Sequence, residues 1–236
     1  MSYYQEPVSQ QPNPYGGYPY QDVRAPRGLA IAAAILAGVV TLLQVGAGLT
    51  APAAADAFAR AAEQGRPAAD VLTVYDAFTI LLFPALLAAY IVTCVWLMRS
   101  RSLLEERGSA YHHSRSKVWV WLGWWVPIVS LWFPYQVVRD VRRASRPGNP
   151  AGPGLLAGWW TCWLGFQIGS QITAGMTGAT DASDPSTFGA LPWFETVNTA
   201  LIVVALACWL AIIRQTTRGQ EAIGADAALP SAPGTF

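Results

Sequence analysis

Five long windows of this chain contain no Asp, Glu, Lys or Arg, and they constrain its fold more than any other feature. They cover residues 28–55, 77–98, 118–138, 147–180 and 196–213. About 20 apolar residues in a helix span the hydrocarbon core of a bilayer, at about 1.5 Å per residue. The composition agrees, because only 12% of the residues are charged, about half the share of a soluble domain. The windows predict an all-α integral membrane protein.

The distribution of Lys and Arg predicts how many windows cross the membrane. If all five cross, the 15 basic residues divide seven to eight between the two sides, which gives no orientation. If residues 118–138 enter and leave on the cytoplasmic side, only Arg60 and Arg66 lie outside and the other thirteen lie inside. Short cytoplasmic loops are enriched in basic residues. The pattern therefore favours four transmembrane helices over five, with both termini in the cytoplasm.

This topology predicts three regions. Residues 1–27, rich in Pro, Tyr and Gln, form a disordered cytoplasmic tail, since such a segment buries too little apolar surface to offset its ordering entropy. Residues 28–214 form the helical membrane domain, and residues 215–236 a second disordered cytoplasmic tail. The spans are expected at about 28–51, 77–98, 155–178 and 196–213, in a cell membrane.

The third window is expected to be a broken, re-entrant or interfacial helical segment on the cytoplasmic side. Pro127 and Pro134 each remove a backbone donor, so a straight helix through both is unfavourable. Two half-helices, 118–125 and 134 to about 145, are predicted, with Gly123, Pro127 and Pro134 as the hinge. Five Trp residues in this window suit the membrane interface.

A basic helix is expected to follow this segment up to residue 146. Its apolar residues recur every three or four positions, while four arginines occupy much of the other face, a pattern typical of helices that lie on a membrane. Anionic lipid headgroups are the candidate ligands of these arginines, although they equally suit a topology signal alone. They are Arg139, Arg142, Arg143 and Arg146.

Three motifs in and after the third window carry a resemblance to a known family. They are the W-x-x-P of residues 124–127, the L-W-x-P of residues 131–134 and the R-D-V-x-R-A-S of residues 139–145. Together they resemble the domain of unknown function 4328, an actinobacterial family of membrane proteins, over about residues 75–214. The resemblance implies a multi-pass bacterial membrane protein and assigns no activity to it.

Few polar residues occur in the expected spans. Gln167, Ser170 and Gln171 share one face of a helix, and they suit either interhelical hydrogen bonds or a face for a ligand or permeating solute. No ionisable residue lies inside a window, although transporters usually carry one. The three cysteines, Cys94, Cys162 and Cys208, fall in apolar surroundings and are expected to be small buried residues.

The sequence contains none of the catalytic fingerprints of nucleotide-binding, hydrolase or zinc enzymes. The preferred hypothesis is a non-enzymatic interaction or envelope-organising protein without a cofactor, whose partners are the bilayer and another membrane protein or a second copy. The alternative is a small transporter or channel subunit. With a net charge of +1, nucleic acid is not an expected partner.

Overall fold

The computed structural model describes residues 25–107, 113–146, 152–178 and 184–228. These residues form helices, turns and irregular segments, and contain no strand, which confirms the all-α prediction. Short 3₁₀ turns lie at Ala68–Asp70, Val129–Leu131 and Pro185–Ala190. The α-helices are α1 (Arg27–Glu63), α2 (Val74–Glu106), α3 (Trp119–Leu122), α4 (Phe133–Ala144), α5 (Gly154–Thr177) and α6 (Leu191–Ala228).

Three helical stretches among the described residues are long and apolar enough to cross a membrane: Arg27–Glu63, Val74–Glu106 and Pro185–Ala225. With its 24 residues, α5 is also long enough, at about 1.5 Å per residue. It contains no charged residue, but its Trp, Gly and Gln residues keep it out of the set of candidate spans above. The structure therefore supports a helical membrane protein with at least three candidate spans.

The long helices form a bundle that is open on one side. Along its length α1 packs against α2 and α6, and α6 also packs against α5, whereas α2 and α5 do not pack side by side. Small residues allow the close contacts: Gly165 faces Leu201 and Gly169 faces Asn198, both on α6. On α1, alanines make up most of the buried residues. They are Ala30, Ala33, Ala47, Ala51, Ala54, Ala55 and Ala61.

The proline-rich segment is broken, but its first half is shorter than predicted. α3 ends at Leu122, whereas the sequence predicted a helix to residue 125. Gly123 explains the close return of the chain, since a side chain there would lie 3.2 Å from Cβ of Phe133. The turn after Pro127 places Ile128 at φ 67°, a conformation that β-branched residues rarely adopt. α4 then begins with Pro134 in its first turn.

The last helix is longer than predicted. The expected tail at 215–236 is helical as far as Ala228, and this part of α6 packs against the end of α4. Thr216 and Gln220 are fully buried, and the Gln220 amide donates to Ser145 Oγ at 3.2 Å. Residues 1–24 and 229–236 lie outside the described part of the chain, so the tails predicted there stay predictions.

Most of the basic residues meet at one end of the bundle, which we call the basic end. Here the end of α2 contacts α6, because the Arg107 guanidinium donates to the Gln220 carbonyl at 3.3 Å. Likewise α4 contacts α6, because the Arg142 guanidinium donates to Gln215 Oε1 at 2.7 Å. α1 starts at the basic end and runs away from it. Arg60, in the last turn of α1, therefore lies at the opposite end of the bundle.

Candidate ligand-binding cleft

A cleft of about 1010 Å³ lies on the open side of the bundle, between α2 and α5. Residues of α1 and α6 form its back wall, and Trp124, Trp125 and Leu131 of the broken segment close it towards the basic end. The volume is at the upper limit of ordinary small-molecule sites, about 300–1,000 Å³. The cleft extends from Glu195 to Trp209 on α6, a distance of about 21 Å along a helix.

A buried carboxylate lies at the end of the cleft farthest from the basic end. Glu195 is only 2% exposed, and each of its oxygens accepts one hydrogen bond: Oε2 from the Gln44 amide at 2.5 Å, Oε1 from the Tyr75 hydroxyl at 2.8 Å. We call these three residues the Glu195 cluster. Both donors are neutral, so within the described residues no cation compensates the carboxylate.

The sequence analysis missed Glu195. It precedes the charge-free window 196–213 by one residue, but α6 begins four residues earlier, at Leu191. The window 196–213 itself holds no charged residue, but Glu195 lies directly before it in the same helical stretch, Pro185–Ala225. Asn198, three residues after Glu195 and also buried, could have indicated a polar face on the first turns of this helix.

Aromatic side chains line the other end of the cleft. Tyr90 packs edge-on against Trp125 at 5.5 Å between ring centroids, and Trp124 packs against Trp160 at 6.1 Å. The segment is also fixed through its backbone, because Trp160 Nε1 donates to the Leu131 carbonyl at 2.7 Å. The cleft is thus amphipathic, with polar groups at one end and indole rings at the other.

The predicted polar face of α5 lies along the cleft. Gln167, Ser170 and Gln171 all line it, and the two glutamines are exposed. Neither glutamine side chain is hydrogen-bonded to another described residue. Their amides therefore face the open cleft, where they are available to a ligand.

The predicted hinge residues lie around the part of the broken segment that closes the cleft. Gly123 precedes Trp124, and Pro127 lies between Trp125 and the 3₁₀ turn Val129–Leu131. Pro134 is buried at the start of α4. The hinge therefore positions the indole rings of Trp125 and Trp124, which pack against Tyr90 and Trp160 respectively.

The four arginines of the predicted lipid-binding helix have different surroundings. Arg143 is exposed, and Arg139 and Arg146 are half-buried. Arg142 is only 6% exposed and donates to Gln215 and to the Gly152 carbonyl. Burial, together with the positive charges of Arg146 and Arg143, lowers the pKa of the Arg142 guanidinium. Arg143 is thus the most accessible of the four, while Arg142 joins α4 to α6.

Asp140 connects the basic helix to the chain that leads into the broken segment. Its carboxylate accepts hydrogen bonds from the Ser114 hydroxyl and N–H and pairs with Arg139 at 3.0 Å. Burial raises the pKa of the Asp140 carboxyl, but the bonds from Ser114 and Arg139 outweigh burial and hold this pKa below its usual value. This contact is structural and lies outside the cleft.

The described residues contain no group of three or more His, Cys, Asp or Glu side chains that could hold a metal ion. The three cysteines are free thiols. Cys94 is fully buried, and its thiol donates to the Val120 carbonyl at 3.2 Å.

The comparisons with known proteins identify the family. No curated protein and no solved structure matches the chain. The family model described as a domain of unknown function, DUF4328, matches residues 60–218, which include the broken segment, α4 and the cleft lining from α2, α5 and α6, but not the lining from α1. This match covers more than half of the chain, so the protein belongs to the DUF4328 family.

Proposed function

We propose that this chain is a non-enzymatic multi-pass protein of the cell membrane that binds an amphipathic small molecule in the cleft between α2 and α5. The observation that carries the proposal is the amphipathic lining of a cleft of about 1010 Å³ on the open side of the bundle. The described lining residues include carboxylates, amides and hydroxyls, but no histidine, cysteine or lysine. Such an amphipathic lining suits the binding of a small amphipathic molecule.

The proposal includes four spans, α1, α2, α5 and α6, with both termini in the cytoplasm. The broken segment is then re-entrant, which the contacts at its two ends support. Arg115, before the segment, donates to Gln136 Oε1 at 2.8 Å and lies 4.0 Å from the centre of the Phe133 ring. Because these contacts bring the start and the end of the segment together, residues 116–132 form a loop that enters and leaves the bundle on the same side.

The depth of this loop also supports a re-entrant path. The Tyr90 hydroxyl donates to the Trp121 carbonyl at 2.9 Å, and Tyr90 precedes Arg99 by nine residues on α2. That separation is about 14 Å along a helix, close to half of a core of about 30 Å. Irregular backbone at such a depth must be covered by protein or water, and here α2 and α5 cover it.

Accessible cysteines test the topology. Cysteines introduced at Gly108 and Gly148, both outside the described residues, should be shielded from an impermeant thiol reagent added to intact cells. A cysteine at Gln64, at the opposite end of the bundle, should react, and the parent chain measures the background from its native cysteines. Labelling at Gly148 but not at Gly108 would establish five spans and exclude the re-entrant path.

Photolabelling tests the binding function. A neutral amphiphile with a diazirine in its chain is added to the protein in nanodiscs, irradiated, and its attachment sites are mapped. Labels should concentrate on residues of α2 and α5 that line the cleft. Ala174→Trp, which fills the cleft, should reduce them, whereas Gly175→Trp, next to it but not lining the cleft, should leave them unchanged. Equal labelling of the two variants would exclude binding in the cleft.

An interaction or envelope-organising role at the basic end is the second candidate function. It is favoured by Arg143, which lies exposed among several other arginines, where an anionic headgroup or a partner protein could bind. Co-purification in mild detergent tests it. A partner that is lost with Arg143→Gln and retained with Ala174→Trp would place the function at the basic end.

A further inference from the structure

The cleft has an acidic lining. Two carboxylates, Glu195 and Asp76, line its end farthest from the basic end, and the described lining residues include no Arg, Lys or His. Asp76 accepts hydrogen bonds from the Thr73 N–H and hydroxyl at 2.7 Å, so its charge is met by neutral donors, as that of Glu195 is. We propose that the ligand of this cleft is an organic cation with an apolar body, a proposal that rests on the binding function above.

The described surroundings of Glu195 contain no positive charge. A carboxylate removed from water is unfavourable unless a cation or several hydrogen bonds compensate it. Glu195 receives one bond on each oxygen from the Gln44 amide and the Tyr75 hydroxyl, although an ionised carboxylate can accept about four. A cationic group in the cleft would compensate the charge and could use the remaining lone pairs.

The rest of the lining suits an apolar and aromatic body. Tyr90, Trp125, Trp160 and Trp163 line the other end of the cleft, and indole rings bind both apolar groups and the faces of cations. A metal ion would instead require several oxygen ligands at about 2.0–2.6 Å. The described residues provide no such set, so the size and apolar surface of the cleft favour an organic ion.

The open side of the bundle gives such a ligand a route from the bilayer. α2 and α5 do not pack side by side, and exposed apolar residues flank the opening, among them Phe83 and Ile168. An amphipathic cation that dissolves in the bilayer can therefore enter laterally, with Gln167 and Gln171 as neutral polar contacts along its path.

The test compares a cation with a neutral molecule of similar shape. Tetraphenylphosphonium and triphenylphosphine oxide are titrated into the purified full-length chain in nanodiscs, with empty nanodiscs as the blank. The wild-type chain should bind tetraphenylphosphonium at least about 10-fold more tightly, as expected when a buried charge gains its partner. Equal affinities would overturn the charge preference and leave the binding function standing, whereas binding of neither probe would overturn both.

A matched pair of variants locates the effect. Glu195→Gln should weaken tetraphenylphosphonium binding about 10-fold or more and should not weaken triphenylphosphine oxide binding to the same extent. Glu221→Gln removes the same charge from an exposed position near the other end of α6 and should change neither. If both variants weaken cation binding equally, the effect is one of net charge and the site at Glu195 is excluded. The wild-type comparison stands even if Glu195→Gln fails to fold.

Discussion

The two ends of the bundle differ in how a buried carboxylate is compensated. At the basic end, the Asp140 carboxylate pairs with a cation, Arg139, and accepts hydrogen bonds from Ser114. In the Glu195 cluster, a buried carboxylate has only neutral donors and borders an open cleft. The Asp140 carboxylate is thus compensated within the chain, whereas the Glu195 cluster is where we propose that a cationic ligand supplies the compensation.

The largest effect should come from filling the close contact between α6 and the end of α4. A Cβ atom at Gly219 would clash with the Ser145 carbonyl oxygen, and a backbone atom cannot move aside as a flexible side chain does. We expect Gly219→Ala to destabilise the chain by about 3 kcal/mol, measured as thermal unfolding in detergent. The control is Gly175→Ala on α5, where nothing lies within 4 Å. An equal effect of both substitutions would contradict tight packing at the basic end.

Asp140 should have the next largest effect. Asp140→Asn weakens charge-assisted bonds from Ser114 and Arg139, so a loss of about 2 kcal/mol is expected at neutral pH. The pKa of Asp140 in the folded chain is below its usual value. The carboxylate therefore stabilises the fold fully at pH values above the usual pKa of an Asp side chain. This contribution is lost as the pH falls through the lower folded pKa. Unfolding curves of wild type and variant should therefore converge below about pH 4. A difference that persists in acid would exclude the carboxylate charge as its cause.

Two neighbouring arginines of the basic end, Arg142 and Arg143, should have different effects because one is buried and the other is exposed. Arg142→Gln should lower stability by about 1 kcal/mol, because its guanidinium is bonded to Gln215. Arg143→Gln should not change stability, because this side chain is exposed. Instead it should weaken binding of the full chain in detergent to vesicles that contain acidic lipid, in a salt-dependent way. Equal binding of wild type and Arg143→Gln to acidic and neutral vesicles would leave the arginines as topology signals.

A small change in stability, like that of Arg143→Gln, is also expected in the cleft. Gln171→Leu removes an amide that forms no hydrogen bond with another described residue and faces the cleft. The free energy of unfolding should change by less than about 0.5 kcal/mol. If Gln171→Leu destabilises the chain as much as Arg142→Gln does, the amide has a structural role and the two ends differ less than proposed.

The sequence predicted those features that depend on local composition. The charge-free windows correctly predicted helices in the four regions that hold α1, α2, α5 and α6, and Pro127 and Pro134 predicted the break. The family resemblance, based on residues 124–145, was confirmed by the match. Each of these signals lies within a few residues of the structure that it predicts.

Features that depend on distant contacts were not predictable in this way. The burial of Glu195 depends on its partners Gln44 and Tyr75, which lie 151 and 120 positions away in the sequence. Likewise, the part of α6 after residue 215 is held by a distant contact, since the Gln220 amide donates to Ser145 Oγ, 75 positions earlier. A single sequence gives periodicity and composition, but not which helices become neighbours, so it indicated the polar face of α5 without the cleft that this face lines.

The contact of α1 with α6 has a consequence for biosynthesis. α1 is the first helix of the bundle to leave the ribosome, and α6 is the last. The packing of α1 depends on both α2 and α6, and Gln44 on α1 donates to Glu195 on α6. Until residues 191–228 have been synthesised, this side of α1 has no protein partner in the bundle. A nascent chain that stops after α5 therefore presents a glutamine and a row of alanines to lipid or to an insertion chaperone.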